Sequence, residues 1–536
     1  MVHGFPPFQV GGTEVLARNV ARCLSKSGHQ VVVFAPTSLQ EQAGDVFLDS
    51  VVLHRVFFSR GYEAPFSDSY LDDAVDFRFA NFVSELRPDV ALVWHTVGMS
   101  AGMFEVLSSL NIPSILFLAD FYYACHMTHL LTANMKPCDG PGDGTRCADC
   151  ILATAHGLRE TETANAAELG RRRVSRLREL LEKVSLMVAP SQFVKEKYVE
   201  FGLDRRRILV IPPGVDVNAI KRLHKPIHSD KVRFGYFGGN VEAKGVSIVL
   251  DAFNQIADDT VELVIAGLGT EPSIFPLPIP RHARLVGTYS PDTLGEMLSR
   301  IDVLIVPSRC HESYNLVARE AFAAKIPVIA SDLRAQSDAI REGINGFCFK
   351  SGDTADLISK MQLLKDRRID LEALKHRIHN GPEIDRQAAK IERALQGLVA
   401  RQGNTSSHRR KSTRPSRRSS DGWYIEKLAE KAIANLEQQV ARLKNDLSAR
   451  EEEAARLKND LSAREEEAAR LKNDLSAKEK ETTRLKNEIH EIKRTVGYRF
   501  ARFYGSRVDQ VFPDGTKRGE LRRKAIERLR GTMQDT

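Results

Sequence analysis

Residues 303–331 read VLIVPSRCHESYNLVAREAFAAKIPVIAS: an apolar run, a short loop, a helical stretch and a second apolar run. That order is a strand, helix, strand crossover, which places both strands parallel in one sheet. Inside it, Glu312 and Glu320 are separated by seven residues. Glu312 falls in the loop at the carboxyl end of the first strand, where open parallel sheets bind ligands. Glu320 falls further along the helix that begins near Asn315. After Ser313, the amides of Tyr314, Asn315 and Leu316 are first-turn donors without helical partners, a site made for phosphate. Two acids beside a phosphate cradle suit a sugar nucleotide, whose hydroxyls need strong acceptors. The plain alternative is a pair of solvated helix acids.

The same alternation runs through most of the chain. Apolar runs at 31–34, 90–94, 114–118, 186–189 and 208–211 belong to an α/β domain over residues 1–222. Runs at 232–237, 261–266, 284–287, 303–306 and 327–330 belong to a second over 223–380. At 536 residues the chain is too long for one core, and 42% hydrophobic residues is ordinary for a soluble protein. No apolar run approaches the ~18 residues of a membrane-spanning helix, and no signal peptide is expected. Seven cysteines without a secretory signal suit a reducing compartment.

Charge separates the body from its appendages. Residues 401–420 carry seven Lys/Arg and no acid, and 493–530 carry twelve basic against four acidic residues. The whole chain is only +8, so the remainder is acidic by about −7. A helical stretch at 381–398 precedes a Ser/Arg-rich segment, 399–422, that reads as a flexible, disordered linker. From 423 to 497 a fourteen-residue unit, ARLKNDLSAREEEA, occurs at 441–454 and 455–468 and then degenerates twice. Fourteen residues are two heptads. Ile433, Val440, Leu447, Leu461, Leu475, Ile489 and Val496 fall at a; Leu436, Leu443, Leu457, Leu471, Leu485 and Ile492 fall at d. This is an α-helical coiled-coil seam of ~100 Å, through which the chain is expected to homo-oligomerise. Arg450, Arg464 and Lys478 at d weaken it, and a single solvated helix is the alternative. The segment 498–536 mixes Tyr498, Phe500, Phe503, Tyr504 and Phe512 with arginines, a composition suited to an anionic membrane surface. No nucleic-acid motif accompanies the basic segments, which makes nucleic acid the weaker partner.

The 307–331 segment, with its E-x7-E spacing, PS before it and PVIAS after it, resembles the signature of the retaining family-4 (group 1) glycosyltransferases. That resemblance implies the GT-B fold: two Rossmann-like domains facing across a cleft, an acceptor-side domain first and a nucleotide-sugar domain second. It also implies a helix at 381–398 crossing back to the first domain. HGFPPFQVGGTEV resembles the family's first strand-to-helix turn, with Gly11 and Gly12 against the donor diphosphate and Glu14 opening the helix. FGYFGGNVEAKGVSIVLDAF resembles the segment carrying its phosphate lysine, here Lys244. The implied function is transfer of a sugar from a nucleotide-diphosphate donor to a growing glycan or lipid-linked glycan of the cell surface. Glu312 and Lys244 would be catalytic, with Glu320 on the ribose, and no cofactor or divalent cation would be required.

Three departures weigh against turnover. Only Met1 and Val2 stand before His3, where the family has an apolar strand, so the natural start is expected upstream. Gly239 replaces an arginine, and Ala119 replaces the histidine before Asp120, with His95 expected as a packing residue. A non-catalytic glycosyltransferase-like scaffold is therefore the alternative function. Cys125, Cys138, Cys147 and Cys150, in a Gly-rich insert, suit a structural zinc; an Fe–S cluster, free thiols or disulfides are the other readings. PDGTKRGELRRK resembles tails of bacterial polysaccharide-assembly proteins; the expected location is the cytoplasm, with the tail either peripheral on the inner face of the cytoplasmic membrane or docked back on its own protein.

Overall fold

The computed structural model describes residues 1–9, 11–58, 66–154, 158, 160–239, 242–267, 270–271, 275–409 and 417–511, with scattered positions between 517 and 527. The chain divides into two compact units, residues 1–436 and 437–536.

In the first domain, β1 (Val32–Thr37), β2 (Gly44–Leu48) and β3 (Val51–Phe57) form one sheet, ordered β1-β3-β2. A second, all-parallel sheet holds β4 (Ala91–Val93), β5 (Ser114–Phe117), β6 (Leu186–Ala189) and β7 (Ile208–Val210) in sequence order. Met1 and Val2 lie between them. The Val2 N–H donates to Phe34 O (3.1 Å), and Met1 O accepts from Trp94 N–H (2.8 Å). Two residues thus stand where a central strand would run, and Val2 is buried with Val20, Leu53, Ile115 and Phe117. The β2–β3 hairpin escapes the sequence pattern because its turn, Asp49 (φ 51°) and Ser50 (φ 66°), is left-handed without a glycine.

The second domain has one six-stranded parallel sheet, β8 (Val232–Phe237), β9 (Val261–Ala266), β10 (Ala283–Leu285), β11 (Val303–Val306), β12 (Val328–Ser331) and β13 (Gly346–Phe349). Their order is β10-β9-β8-β11-β12-β13, the doubly wound arrangement that reverses between β8 and β11. Buried runs such as VLIV in β11 fit a sheet covered on both faces. This is the GT-B architecture of two Rossmann-like domains.

The crossing-back helix is longer than the pattern suggests, Ile384–Arg409. Ile391 and Leu395 return it to the first-domain core beside Leu16 and Val20. The expected linker is consequently mostly helical: one helix runs to Arg409 and the next begins at Arg417, with 410–416 outside the described residues. Ser/Arg composition lowers burial but does not break a helix, and Pro415 is the first proline after Pro382. The terminal helix, Arg417–Val511, packs Tyr424, Ile425 and Leu428 on the first domain. Beyond residue 436 it exposes Val440, Leu447, Leu457, Leu461, Leu471 and Leu475. The side chains of Leu436, Leu443 and Val496 and of the tail aromatics lie outside the described residues. No helix among the described residues is long and apolar enough to cross a membrane.

Candidate active site

The reversal between β8 and β11 leaves a crevice at their carboxyl ends, and the loops leaving both strands face it. After β8 comes a short 3-10 turn, Glu242–Lys244, then Gly245, then the helix Val246–Ile256. Gly245 is left-handed (φ 72°), and a Cβ there would stand 2.1 Å from Pro307 O. Only glycine lets the lysine loop sit this close to the β11 loop. Arg309 N–H donates to Ala243 O (2.8 Å) and ties the two loops together.

Lys244 Nζ consequently reaches Glu312 Oε1 at 3.0 Å, and Ser308 Oγ donates to the same oxygen at 2.5 Å. Burial would raise the Glu312 carboxyl, but the Lys244 ammonium and then the Ser308 hydroxyl outweigh it and hold it low. The Glu312 carboxylate in turn raises Lys244. Among the described residues Glu320 has no such counterion, and burial pushes its carboxyl up to about 7. Its helix, Leu316–Ala323, is capped by Asn315, whose side chain accepts from Ala318 N–H at 3.2 Å.

A cavity of about 1000 Å³ joins these groups across the cleft. Gly11, Gly12, Lys244, Glu312, Ser313, Tyr314, Leu316 and Glu320 all line it. Asn315 is not on that wall; its side chain is fully buried as the helix cap, which leaves only its backbone amide for a donor phosphate. Ala119 and Gly239 are on the cavity wall, so two of the three departures from the family pattern fall inside the site. The wall also includes Tyr236, Thr288 and Ser290, which sequence reasoning passes over. Thr288 follows Gly287 just past β10, and that position at a strand's carboxyl end was the available signal. The domains are tied at the cleft by Ser191 Oγ, which donates to Ser313 O at 2.8 Å.

His95 is buried, as expected, but it is also polar-bonded at the site's edge. Val97 N–H donates to its Nδ1 (2.9 Å), so the ring proton lies on Nε2, 3.1 Å from Asp120 Oδ2. Burial would raise Asp120; His95 and the Tyr122 amide (2.8 Å) hold it low instead. His3 stands edge-on to His95, with centroids 4.8 Å apart, and its Nε2 is 3.1 Å from Glu14 Oε1.

The four cysteines of the insert are partly buried free thiols. Cys147 is pushed up to about 11 by burial and then by Cys125, Cys138 and Cys150. Among the described residues, no group of three or more His, Cys, Asp or Glu side chains is arranged to hold a metal ion.

Residues 11–214 match the family described as "Glycosyl transferase 4-like domain", and residues 231–366 the family "Glycosyl transferases group 1". A D-inositol 3-phosphate glycosyltransferase of Geodermatophilus obscurus is 28% identical, over 47% of this chain and 60% of its own. A phosphatidyl-myo-inositol mannosyltransferase of Mycobacterium leprae is 30% identical, over 35% of this chain and 52% of its own. The chain thus spans about half to three-fifths of the length of these relatives. A solved glycosyltransferase from Rickettsia africae superposes with a TM-score of 0.52 at 14% identity, over 74% of this chain and 98% of its own, a likeness of fold. The two matched stretches face each other across the Lys244–Glu312 cleft, and over residues 11–366 the chain belongs to the group 1 glycosyltransferases of the GT-B fold.

Proposed function

We propose that the chain is a retaining glycosyltransferase that moves a hexosyl group from a nucleotide-diphosphate sugar to a growing or lipid-linked glycan. One observation carries the reading: a single cavity gathers Gly11 and Gly12 from one domain and Lys244, Glu312 and Glu320 from the other. In this scheme Lys244 and the amides after Ser313 hold the diphosphate, Glu312 takes sugar hydroxyls and Glu320 the ribose. The bond between the anomeric carbon and the phosphate oxygen breaks, and the charge left on the diphosphate meets the Lys244 ammonium. The acceptor oxygen attacks from the same face, and its proton passes to the departing phosphate oxygen.

A lipid-linked acceptor is supported by the relative named for phosphatidyl-myo-inositol and by the basic, aromatic composition of 498–536. A chain held through that tail would work at the inner face of the cytoplasmic membrane, self-associated through the exposed seam of the terminal helix.

The second reading, a non-catalytic scaffold, is favoured by Ala119 and Gly239 on the cavity wall. Transfer and donor hydrolysis measured across UDP-, GDP- and ADP-sugars separate the two. No turnover with any donor, and no change on Glu320→Ala, would sink the enzyme reading.

A further inference from the structure

The insert that follows β5 reaches across the cleft. Its backbone folds back on itself: Phe121 N–H donates to Thr128 O (3.2 Å), Cys138 N–H donates to Leu130 O (2.8 Å), and Leu131 pairs with Pro137. At the tip, Leu131 is buried against Ala243 and Cys310, with Met135 beside them. Ala243 directly precedes Lys244, and Cys310 stands two residues before Glu312. Gln336 Nε2 donates to Cys310 O at 2.8 Å and fixes that loop from behind. A strap from the first domain is therefore clamped on the two loops that carry the Lys244–Glu312 pair.

His129 lies in this strap between two left-handed residues, Thr128 (φ 65°) and Leu130 (φ 50°). Neither is glycine, and for a β-branched threonine this backbone is a true outlier. The surroundings impose it: Leu130 is buried in the first-domain core, and the Thr128 carbonyl is held by Phe121. Strain stored on both sides of one residue is found where its side chain has work to do. The His129 side chain is half-buried, and the charges of Asp120, Lys244 and Glu312 all act on it. Burial, then the Lys244 ammonium, holds the imidazole below its ordinary range, so at neutral pH it offers one donor and one acceptor. A sugar hydroxyl needs both.

We propose that the strap presents His129 to the sugar of the donor, where its imidazole hydrogen-bonds a hydroxyl beside Glu312. The proposal rests on the donor reading above. It adds that recognition of the sugar, as distinct from the nucleotide, depends on an element outside both Rossmann-like sheets.

Calorimetric titration of the full chain with UDP-glucose, GDP-mannose and ADP-glucose, and with UDP, GDP and ADP, tests it. For the donor that wild type binds, His129→Ala should weaken the sugar nucleotide about tenfold, what one hydrogen bond supplies, and leave the matching diphosphate unchanged. His129→Gln should retain most of the affinity. Lys136→Ala, on the exposed side of the strap, should give no loss with either ligand. Equal weakening of both ligands, or none, overturns the proposal. If His129→Ala does not fold, unchanged sugar-nucleotide affinity in His129→Phe, which keeps a ring and loses both nitrogens, overturns it equally. A wild-type chain that binds none of the six overturns the donor reading itself, and this proposal with it.

Discussion

Lys244 Nζ and Glu312 Oε1 are paired at 3.0 Å, so each is the other's counterion before any donor arrives. A diphosphate entering the cavity must share or take over the ammonium. Lys244→Ala should therefore act twice. Loss of the charge that meets the leaving group should lower kcat/KM by ~10²–10³-fold. The carboxylate left buried without its partner should cost about 1–2 kcal/mol, less than for a fully buried pair because Lys244 is 36% exposed. Adding Glu312→Gln should recover the stability and not the rate. Denaturant unfolding and initial rates on both variants separate the two effects.

Gly245 fixes the distance between these loops. A side chain there meets Pro307 O at 2.1 Å and must also adopt φ 72°. Gly245→Ala is expected to destabilise by about 2 kcal/mol and to weaken donor binding, because the lysine loop must withdraw from the β11 loop. Thermal unfolding and donor titration on the same preparation check it. Unchanged stability would mean the loop relaxes freely.

Much of the site was readable because its pieces are local. Lys244–Gly245 and the Glu312–Glu320 spacing each follow the carboxyl end of an apolar run, where the strand pattern itself points, and Gly11–Gly12 open the first helix. The contacts between distant segments were not readable. Nothing near His95 announces Asp120 as its partner 25 residues on, and nothing near Leu131 announces Ala243 and Cys310. The β2–β3 hairpin was hidden by a turn without glycine. The helical ends of the linker were not readable because Ser/Arg composition reports on burial, whereas helix continuation depends on what interrupts the backbone hydrogen bonds. The first-turn amide of Asn315 was readable from its position in the motif; the service of its side chain to the helix terminus was not.

Glu320 supplies a pH signature with a definite sign. Its folded-state value is about 7 against an ordinary 4.5, so between those values the folded chain keeps a proton that the unfolded chain has released. Stability should fall as pH rises from ~4.5 through 7 and then level off, by roughly 1–3 kcal/mol. Glu320→Gln should remove that slope and be the more stable chain at pH 8. Donor affinity should run the opposite way, since a ribose hydroxyl donates best to the ionised carboxylate. Unfolding and donor titration at pH 5, 6, 7 and 8 report both trends.

The terminal helix exposes Leu447 (59%), Leu461 (59%) and Leu475 (61%) at 14-residue spacing, with Leu457 and Leu471 on the same seam. Burying one such side chain is worth about 1.5–3 kcal/mol, so a second copy of the helix has enough apolar surface to pair with. Arg450, Arg464 and Lys478 interrupt the seam at d, so association is expected at the weak end of coiled coils. Sedimentation of the full 59.9 kDa chain should show a mass that rises with concentration. Leu447→Ser, Leu461→Ser and Leu475→Ser together should hold it at the monomer. Arg450→Leu, Arg464→Leu and Lys478→Leu should shift association to lower concentration. A wild-type chain that stays monomeric at every concentration would leave the seam as one face of a solvated helix, and the repeat would then serve length and not assembly.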